Sequence, residues 1–216
     1  NAITVLDTHD GIGVVDVGPD APPDRSPGLL TPDQLDALVE GIHTRSRGAS
    51  RRATGWAASN VDVYQVNCTY YDALGRDDQR YLLARLLQLF TPGIPQVYYV
   101  GLLAGENDLD LLERTGVGRD INRHHYTPAE LAAALDRPVV RALLALIRFR
   151  NSHPAFNGTF SVGADDAPGR LTLRWTAADE QVELSADLAS AAFTVTFTHE
   201  GEQRTVTDLA QLPAQR

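Results

Sequence analysis

The sequence contains no methionine and no lysine, and all 19 of its basic residues are arginine. A GC-rich coding bias accounts for the missing lysine. The missing methionine, with an apolar segment that starts at residue 3 without any lead-in, sets the expectation that these 216 residues are a piece of a longer polypeptide. The single cysteine, Cys68, excludes an internal disulfide and fits a reducing, cytoplasmic setting. No apolar run approaches the roughly 18 residues of a membrane span, and the first residues do not read as a signal peptide. The net charge of -9 argues against nucleic acid as a partner, because a phosphate backbone needs clustered cations.

What is present is ordinary globular composition, 43% hydrophobic and 22% charged, enough for one large or two small domains. Residues 3–6 are β-branched and apolar and predict a short strand. Residues 11–27, rich in Gly, Pro and Asp, predict a loop. Thr31-Pro32-Asp33-Gln34 predicts a helix start, with Thr31 as N-cap, Pro32 at the first helical position and Gln34 completing a capping box. Residues 45–52 read as a basic, exposed turn. Residues 61–67 alternate and predict a strand or extended loop. Residues 77–90 predict a helix whose apolar face holds Leu82, Leu83, Leu86, Leu87 and Phe90. Residues 96–100 predict a second strand, and residues 101–126 a loop longer than a connector needs, which points to function. A second capping-box pattern at Thr127 opens a helical region reaching residue 150, with a break near Pro138.

The last sixty residues change character. Residues 159–162, 171–175, 182–187, 193–199 and 205–208 predict short strands, with a hairpin tip at Glu200-Gly201. Trp175 and Phe197 fall at alternating, core-like positions. The order of elements is strand, insertion, helix, strand, long segment, helix, then an all-β module. That is the order expected at the end of a (β/α)8 barrel followed by a small antiparallel domain. Two strands cannot close a barrel of eight, so the others are expected upstream.

Candidate chemistry lies at the strand ends. His9-Asp10 follows the first strand directly. A carboxylate there can accept hydrogen bonds from sugar hydroxyls and stabilise positive charge on an anomeric carbon, and the imidazole can donate to a further hydroxyl. The plain alternative is an Asp-x-x-Asp turn cap. Arg119, late in the long segment, has the forked donors to hold a carboxylate or hydroxyls, or else makes a surface ion pair. Asp62, Tyr64 and Gln65 either line a polar pocket or form the outer side of an edge strand. His124-His125 has no third ligand at metal spacing. Asn67-Cys68-Thr69 and Asn157-Gly158-Thr159 match the glycosylation triplet, with nothing else pointing to secretion.

Four stretches, NAITVLDTHDGIGVVDVG, AASNVDVYQVNCTYYDALG, PGIPQVYYVGLLAGENDLDLLERTGVGRDINRHHY and RPVVRALLALIRFRN, together resemble the C-terminal part of the sucrose phosphorylases. These are retaining enzymes of the α-amylase superfamily. The THD triplet is shared with the wider superfamily, whereas VDVYQVN and GRDINRHHY narrow the resemblance. It is dense to about residue 163 and looser beyond.

The resemblance implies an α/β fold: strands 7 and 8 of the barrel in residues 1–11 and 76–155, an insertion shaping the acceptor site in 12–75, and an antiparallel β domain in 156–216. The insertion also carries the dimer contact in related enzymes. Asp10 would be the transition-state-stabilising carboxylate, and His9 and Arg119 would bind the glucosyl unit. Asp62 and Gln65 would contact fructose, with Val63 and Tyr64 beside them turning inward when phosphate replaces it. The implied reaction transfers the glucosyl unit of sucrose to phosphate, giving α-glucose 1-phosphate and fructose, by double displacement without metal or cofactor. No stretch of the chain resembles the family's nucleophile or acid/base motifs, so the upstream barrel, or a second chain carrying it, would supply them.

Three alternatives remain at this level. A sucrose 6'-phosphate or glucosylglycerate-type phosphorylase shares the Asp10 and Arg119 logic, and Arg45, Arg47, Arg51 and Arg52 are close enough in sequence to serve a phosphorylated acceptor. A related α-glucoside hydrolase shares it too. A non-catalytic carbohydrate-binding or interaction fragment would instead expose aromatic platforms on the β module.

Overall fold

A computed structural model describes residues 2–14, 28–53, 65–163 and 167–213. In chain order the elements are β1 (Ile3–Val5), β2 (Ile12–Gly13), α1 (Pro32–Arg45), α2 (Ala49–Arg52), β3 (Gln65–Val66), α3 (Tyr70–Ala73), α4 (Asp78–Phe90), β4 (Ile94–Gln96), α5 (Tyr99–Leu102), α6 (Leu109–Thr115), a 3-10 turn (Gly118–Asn122), α7 (Pro128–Asp136), α8 (Pro138–Ser152), a 3-10 turn (Pro154–Asn157), β5 (Thr159–Val162), β6 (Arg170–Ala177), β7 (Glu180–Asp187), β8 (Phe193–His199), β9 (Glu202–Val206) and a final 3-10 turn (Leu209–Gln211). The fold is α/β with a small antiparallel β portion at its end. The described residues form two compact units: Asn1–Thr4, Asp78–Gln96 and Leu135–Arg216 in one, Val5–Asp77 and Val97–Ala134 in the other.

In the first unit, β1 pairs with β4, and the Ile94 amide donates to the Ala2 carbonyl (2.9 Å). Gln88 of α4 holds both strands. Its Nε2 donates to the Thr4 carbonyl (3.0 Å) and the Gln96 carbonyl (2.8 Å). The buried face of α4 is therefore not purely apolar. It carries Leu83, Leu86, Leu89 and Phe90, with Leu82 and Leu87 only partly buried. Arg85 and Gln88 are buried there as well, Arg85 bonding Tyr81 Oη and Gln88 Oε1.

Five strands follow as an antiparallel meander, β5-β6-β7-β8-β9. Alternation along β6, β7 and β8 sends Leu173, Trp175, Val182, Leu184, Val195 and Phe197 into a core shared with α4 and with Leu146 and Phe149 of α8. Trp175 and Phe197 are 7% and 2% exposed, so they form core rather than a sugar-binding platform. The Trp175 indole N–H donates to the Phe90 carbonyl (2.7 Å), giving the buried ring the partner it needs.

In the second unit, Thr31 caps α1 as the sequence predicts. Its Oγ1 accepts from Gln34 N (3.3 Å), and Gln34 Oε1 accepts from Thr31 N (2.9 Å). Several expectations along the chain fail. The basic stretch 45–52 is not a free turn: α1 runs to Arg45, α2 follows, and Ser46, Ala49 and Ser50 are buried. Small residues there pack inward while Arg47, Arg51 and Arg52 are exposed. The second strand is Ile94–Gln96 rather than residues 96–100. Tyr99–Leu102 closes a helical turn that buries Val100, so tertiary burial overrides the β-propensity of Tyr and Val. The long segment is structured, with Asp108 capping α6 and Gly116 ending it in the left-handed region.

Candidate functional site

All the contacts that follow lie in the second unit. The chain leaves β1 and makes a two-residue turn, in which Thr8 and Gly11 exchange both backbone hydrogen bonds at 3.1 Å. His9 and Asp10 are its two central residues. Thr8 Oγ1 accepts from the Asp10 amide (3.1 Å), which tightens the turn. Gly11 has φ +109, and a Cβ there would sit 2.4 Å from the Val66 carbonyl oxygen. Glycine is thus required because β3 lies against the turn, not because the chain loosens. Residues 12–13 continue as β2, paired antiparallel with β3 through Ile12↔Val66 and Gly13↔Gln65, where the sequence predicts loop.

The opposing element is the 3-10 turn Gly118–Asn122. Asp108 holds it from below. Its amide donates to the Ile121 carbonyl (2.8 Å), its Oδ1 accepts from the Leu111 amide (2.7 Å), and its Oδ2 meets His124 Nδ1 (2.6 Å). Burial alone would raise the Asp108 carboxyl, but its bonds to His124 and the Leu111 amide outweigh burial and hold it below the usual range. Ile121 is fully buried with Ala49, Ala53 and Leu112. With Ile121 anchored inward, Arg119 and Arg123 reach the His9–Asp10 turn.

One carboxylate oxygen takes both guanidinium groups. Arg119 Nη1 donates to Asp10 Oδ1 at 2.8 Å, and Arg123 Nη2 donates to the same oxygen at 3.3 Å. The other oxygen, Oδ2, lies 3.3 Å from His9 Nε2. Asp10 is 25% exposed and His9 64% exposed at the side chain. Asn122 Nδ2 donates to the Thr8 carbonyl (2.6 Å), and its buried Oδ1 has no donor among the described residues. The Tyr98 hydroxyl donates to the Asn122 carbonyl (3.1 Å). Burial, then the neighbouring Tyr99, pushes the Tyr98 phenol up, so it stays a neutral donor. A carboxylate with one oxygen fixed by arginines and the other beside an imidazole is arranged to accept hydroxyl hydrogen bonds and to stabilise adjacent positive charge.

No family model matches the sequence. The chain is 62% identical over 196 residues to the sucrose phosphorylase of Agrobacterium vitis, across 91% of this chain and 40% of that protein. It is 54% identical over 185 residues to the sucrose phosphorylase of Bifidobacterium adolescentis, across 86% of this chain and 36% of that protein. The chain is homologous to the C-terminal part of the sucrose phosphorylases. Its fold matches the crystal structure of sucrose 6F-phosphate phosphorylase from Thermoanaerobacter thermosaccharolyticum with a TM-score of 0.81 and 40% identity, over 96% of this chain and 40% of that one. The chain therefore spans about two fifths of the length of these relatives.

Of the residues that the resemblance to sucrose phosphorylases singles out, His9, Asp10 and Arg119 meet at one place. Gln65 sits in β3 beside Val66, whose carbonyl faces Gly11. Asp62, Val63 and Tyr64 lie outside the described residues. Reading the sequence missed Arg123 and Asn122. A signal was present, since both lie in the GRDINRHHY stretch and Arg123 follows Arg119 by four residues. Three of the four clustered arginines take separate partners: Arg45 Nε donates to the Ala73 carbonyl (2.7 Å), Arg51 pairs with Glu40, and Arg52 pairs with Glu113. No helix of the described residues is long and apolar enough to cross a membrane.

Proposed function

We propose that this chain is the C-terminal part of a sucrose phosphorylase, which transfers the glucosyl unit of sucrose to phosphate with retention. The observation that carries this is the 62% identity to the Agrobacterium vitis enzyme across 91% of the chain. Asp10 serves as the transition-state stabiliser. It faces the glucosyl ring with Oδ2 while the arginines hold Oδ1, a reading supported by the geometry of the turn. His9 and Arg119 bind the same sugar. Asp62, Val63, Tyr64 and Gln65 form the acceptor side, where fructose leaves and phosphate enters.

The reaction runs in two displacements. A carboxylate nucleophile attacks C1 of the glucosyl unit while a carboxylic acid protonates departing fructose. Phosphate then attacks the glucosyl-enzyme, and α-glucose 1-phosphate leaves with retained configuration. This requires a nucleophile and an acid/base about 5 Å apart. We assign both to the parent protein outside these residues. Residues 1–11 and 76–155 then close a (β/α)8 barrel as strands 7 and 8, residues 12–75 shape the acceptor site, and 156–216 form the β domain. Ile3 and Ile94, apolar and 61% and 57% exposed on the two-stranded sheet β1-β4, support a further layer packed against that sheet in the parent protein. The lone, buried Cys68 supports a reducing, cytoplasmic location.

A phosphorylated acceptor is the competing reading. Arg51 pairs with Glu40 and Arg52 with Glu113, so two of the four arginines are already matched to carboxylates, which supports plain sucrose. The test is to express the complete reading frame and incubate it with sucrose and phosphate. Glucose 1-phosphate and fructose are expected. Glucose alone would identify a hydrolase, and turnover of sucrose 6'-phosphate in preference to sucrose would identify the competing phosphorylase.

A further inference from the structure

We propose that Arg123 is the positioning residue of the Asp10 carboxylate, an inference that rests on the role of Asp10 proposed above. Its guanidinium makes three contacts with three different groups. Nε donates to the His9 carbonyl (2.9 Å), Nη2 to Asp10 Oδ1 (3.3 Å) and Nη1 to Asp120 Oδ1 (3.3 Å). Arg123 is therefore bonded both to the carboxylate and to the backbone that carries it. A planar fork with fixed donors is suited to this, whereas an ammonium on a flexible stem is a point charge.

The anchor itself is fixed. The Arg123 amide donates to the Asp120 carbonyl (3.0 Å), closing the 3-10 turn. Asn122, the preceding residue, grips the Thr8 carbonyl. Two consecutive residues of one rigid turn thus hold two consecutive carbonyls of the other, Thr8 and His9. Rotation of the Asp10 side chain and movement of its backbone are restrained together. The outcome is a division between the two oxygens, with Oδ1 occupied by arginine and Oδ2 left on the His9 side for substrate. A group whose charge matters most in the transition state, once misplaced, lowers turnover more than ground-state binding.

The test uses the complete reading frame carrying Arg123→Ala. Its kcat for sucrose phosphorolysis is expected to fall about 100-fold with KM for sucrose within about threefold of wild type. Free guanidinium is expected to restore turnover by about tenfold or more, which a merely structural loss would not allow. Arg123→Lys covers the case in which the alanine variant does not fold, and a kcat drop of about tenfold or more is expected there. A wild-type kcat in either variant overturns the proposal, as does a loss that guanidinium cannot restore. A crystal structure of the variant gives a decision independent of activity. Displacement of the Asp10 carboxylate supports the positioning role, and an unmoved carboxylate overturns it. If wild-type protein makes no glucose 1-phosphate from sucrose, the functional reading falls, and the crystal comparison alone decides the role of Arg123.

Discussion

Replacing Asp10 with Asn removes one charge and almost no volume. The amide can turn its oxygen toward Arg119 and Arg123, preserving the acceptor at 2.8 and 3.3 Å. Its NH2 then takes the place of Oδ2 on the His9 side and can still meet a hydroxyl. On the role proposed for Asp10, what is lost is the negative charge between two guanidinium groups and a sugar that becomes cationic only at the transition state. Folding should suffer little. Asp10 is 25% exposed and the arginines 30% and 28%, so losing these two partly solvated ion pairs should cost about 1–2 kcal/mol. Turnover should suffer much more. Loss of one preorganised electrostatic partner typically lowers kcat by about 100- to 1000-fold, or about 3–4 kcal/mol of barrier. The assay is steady-state release of glucose 1-phosphate by the full-length Asp10→Asn variant, beside its urea melt. A kcat within about tenfold of wild type, or a stability loss larger than the barrier change, would refute the assignment.

Three further outcomes concern the scaffold. A Cβ on Gly158 would lie 1.9 Å from the Thr176 carbonyl oxygen, whereas one on Gly201 meets nothing within 4 Å. Gly158→Ala should therefore lose about 3 kcal/mol by overpacking and Gly201→Ala about 1 kcal/mol by left-handed strain, and the reverse order in urea melts would contradict the packing. His43, bonded to Ser50 (2.7 Å), has its pKa lowered from 6.5, first by burial and then by Arg51, against the opposing pull of Glu40. The unfolded chain then takes up the proton first as pH falls. Stability is full above about 6.5 and drops below it, and His43→Gln should flatten the dependence of Tm on pH between 7.5 and 5.5; equal slopes would count against this. Burial pushes the Cys68 thiol up to about 12. At pH 8 only about one molecule in 10,000 carries the thiolate, so the Cys68 peptide should be alkylated only after denaturation. Rapid labelling of native protein would disprove the burial.

Local rules carried far along this chain where local forces decide. The capping box at Thr31, the break at Pro138 and the alternation of β6 and β8 each depend on neighbours within a few residues, and each forms as the sequence predicts. His9 and Asp10 could be named because they follow the first strand and Arg119 because it lies late in a long segment, all in stretches that resemble sucrose phosphorylases. The meeting of Arg119 with Asp10 across 109 positions is a contact that only folding makes.

The sequence by itself determined the α/β order, the antiparallel module and the principal helices, because periodicity, caps and turn residues act over short range. Only the tertiary structure decided that both arginines take the same oxygen, that Arg123 also holds the backbone, and that Gly11 is required by the Val66 carbonyl rather than by a loop. It also turned residues 99–102 into a helix and buried Arg85 and Gln88 on the inner face of α4. Each of these depends on groups far apart in the chain, whose proximity is set by packing and by the need to pair buried polar atoms.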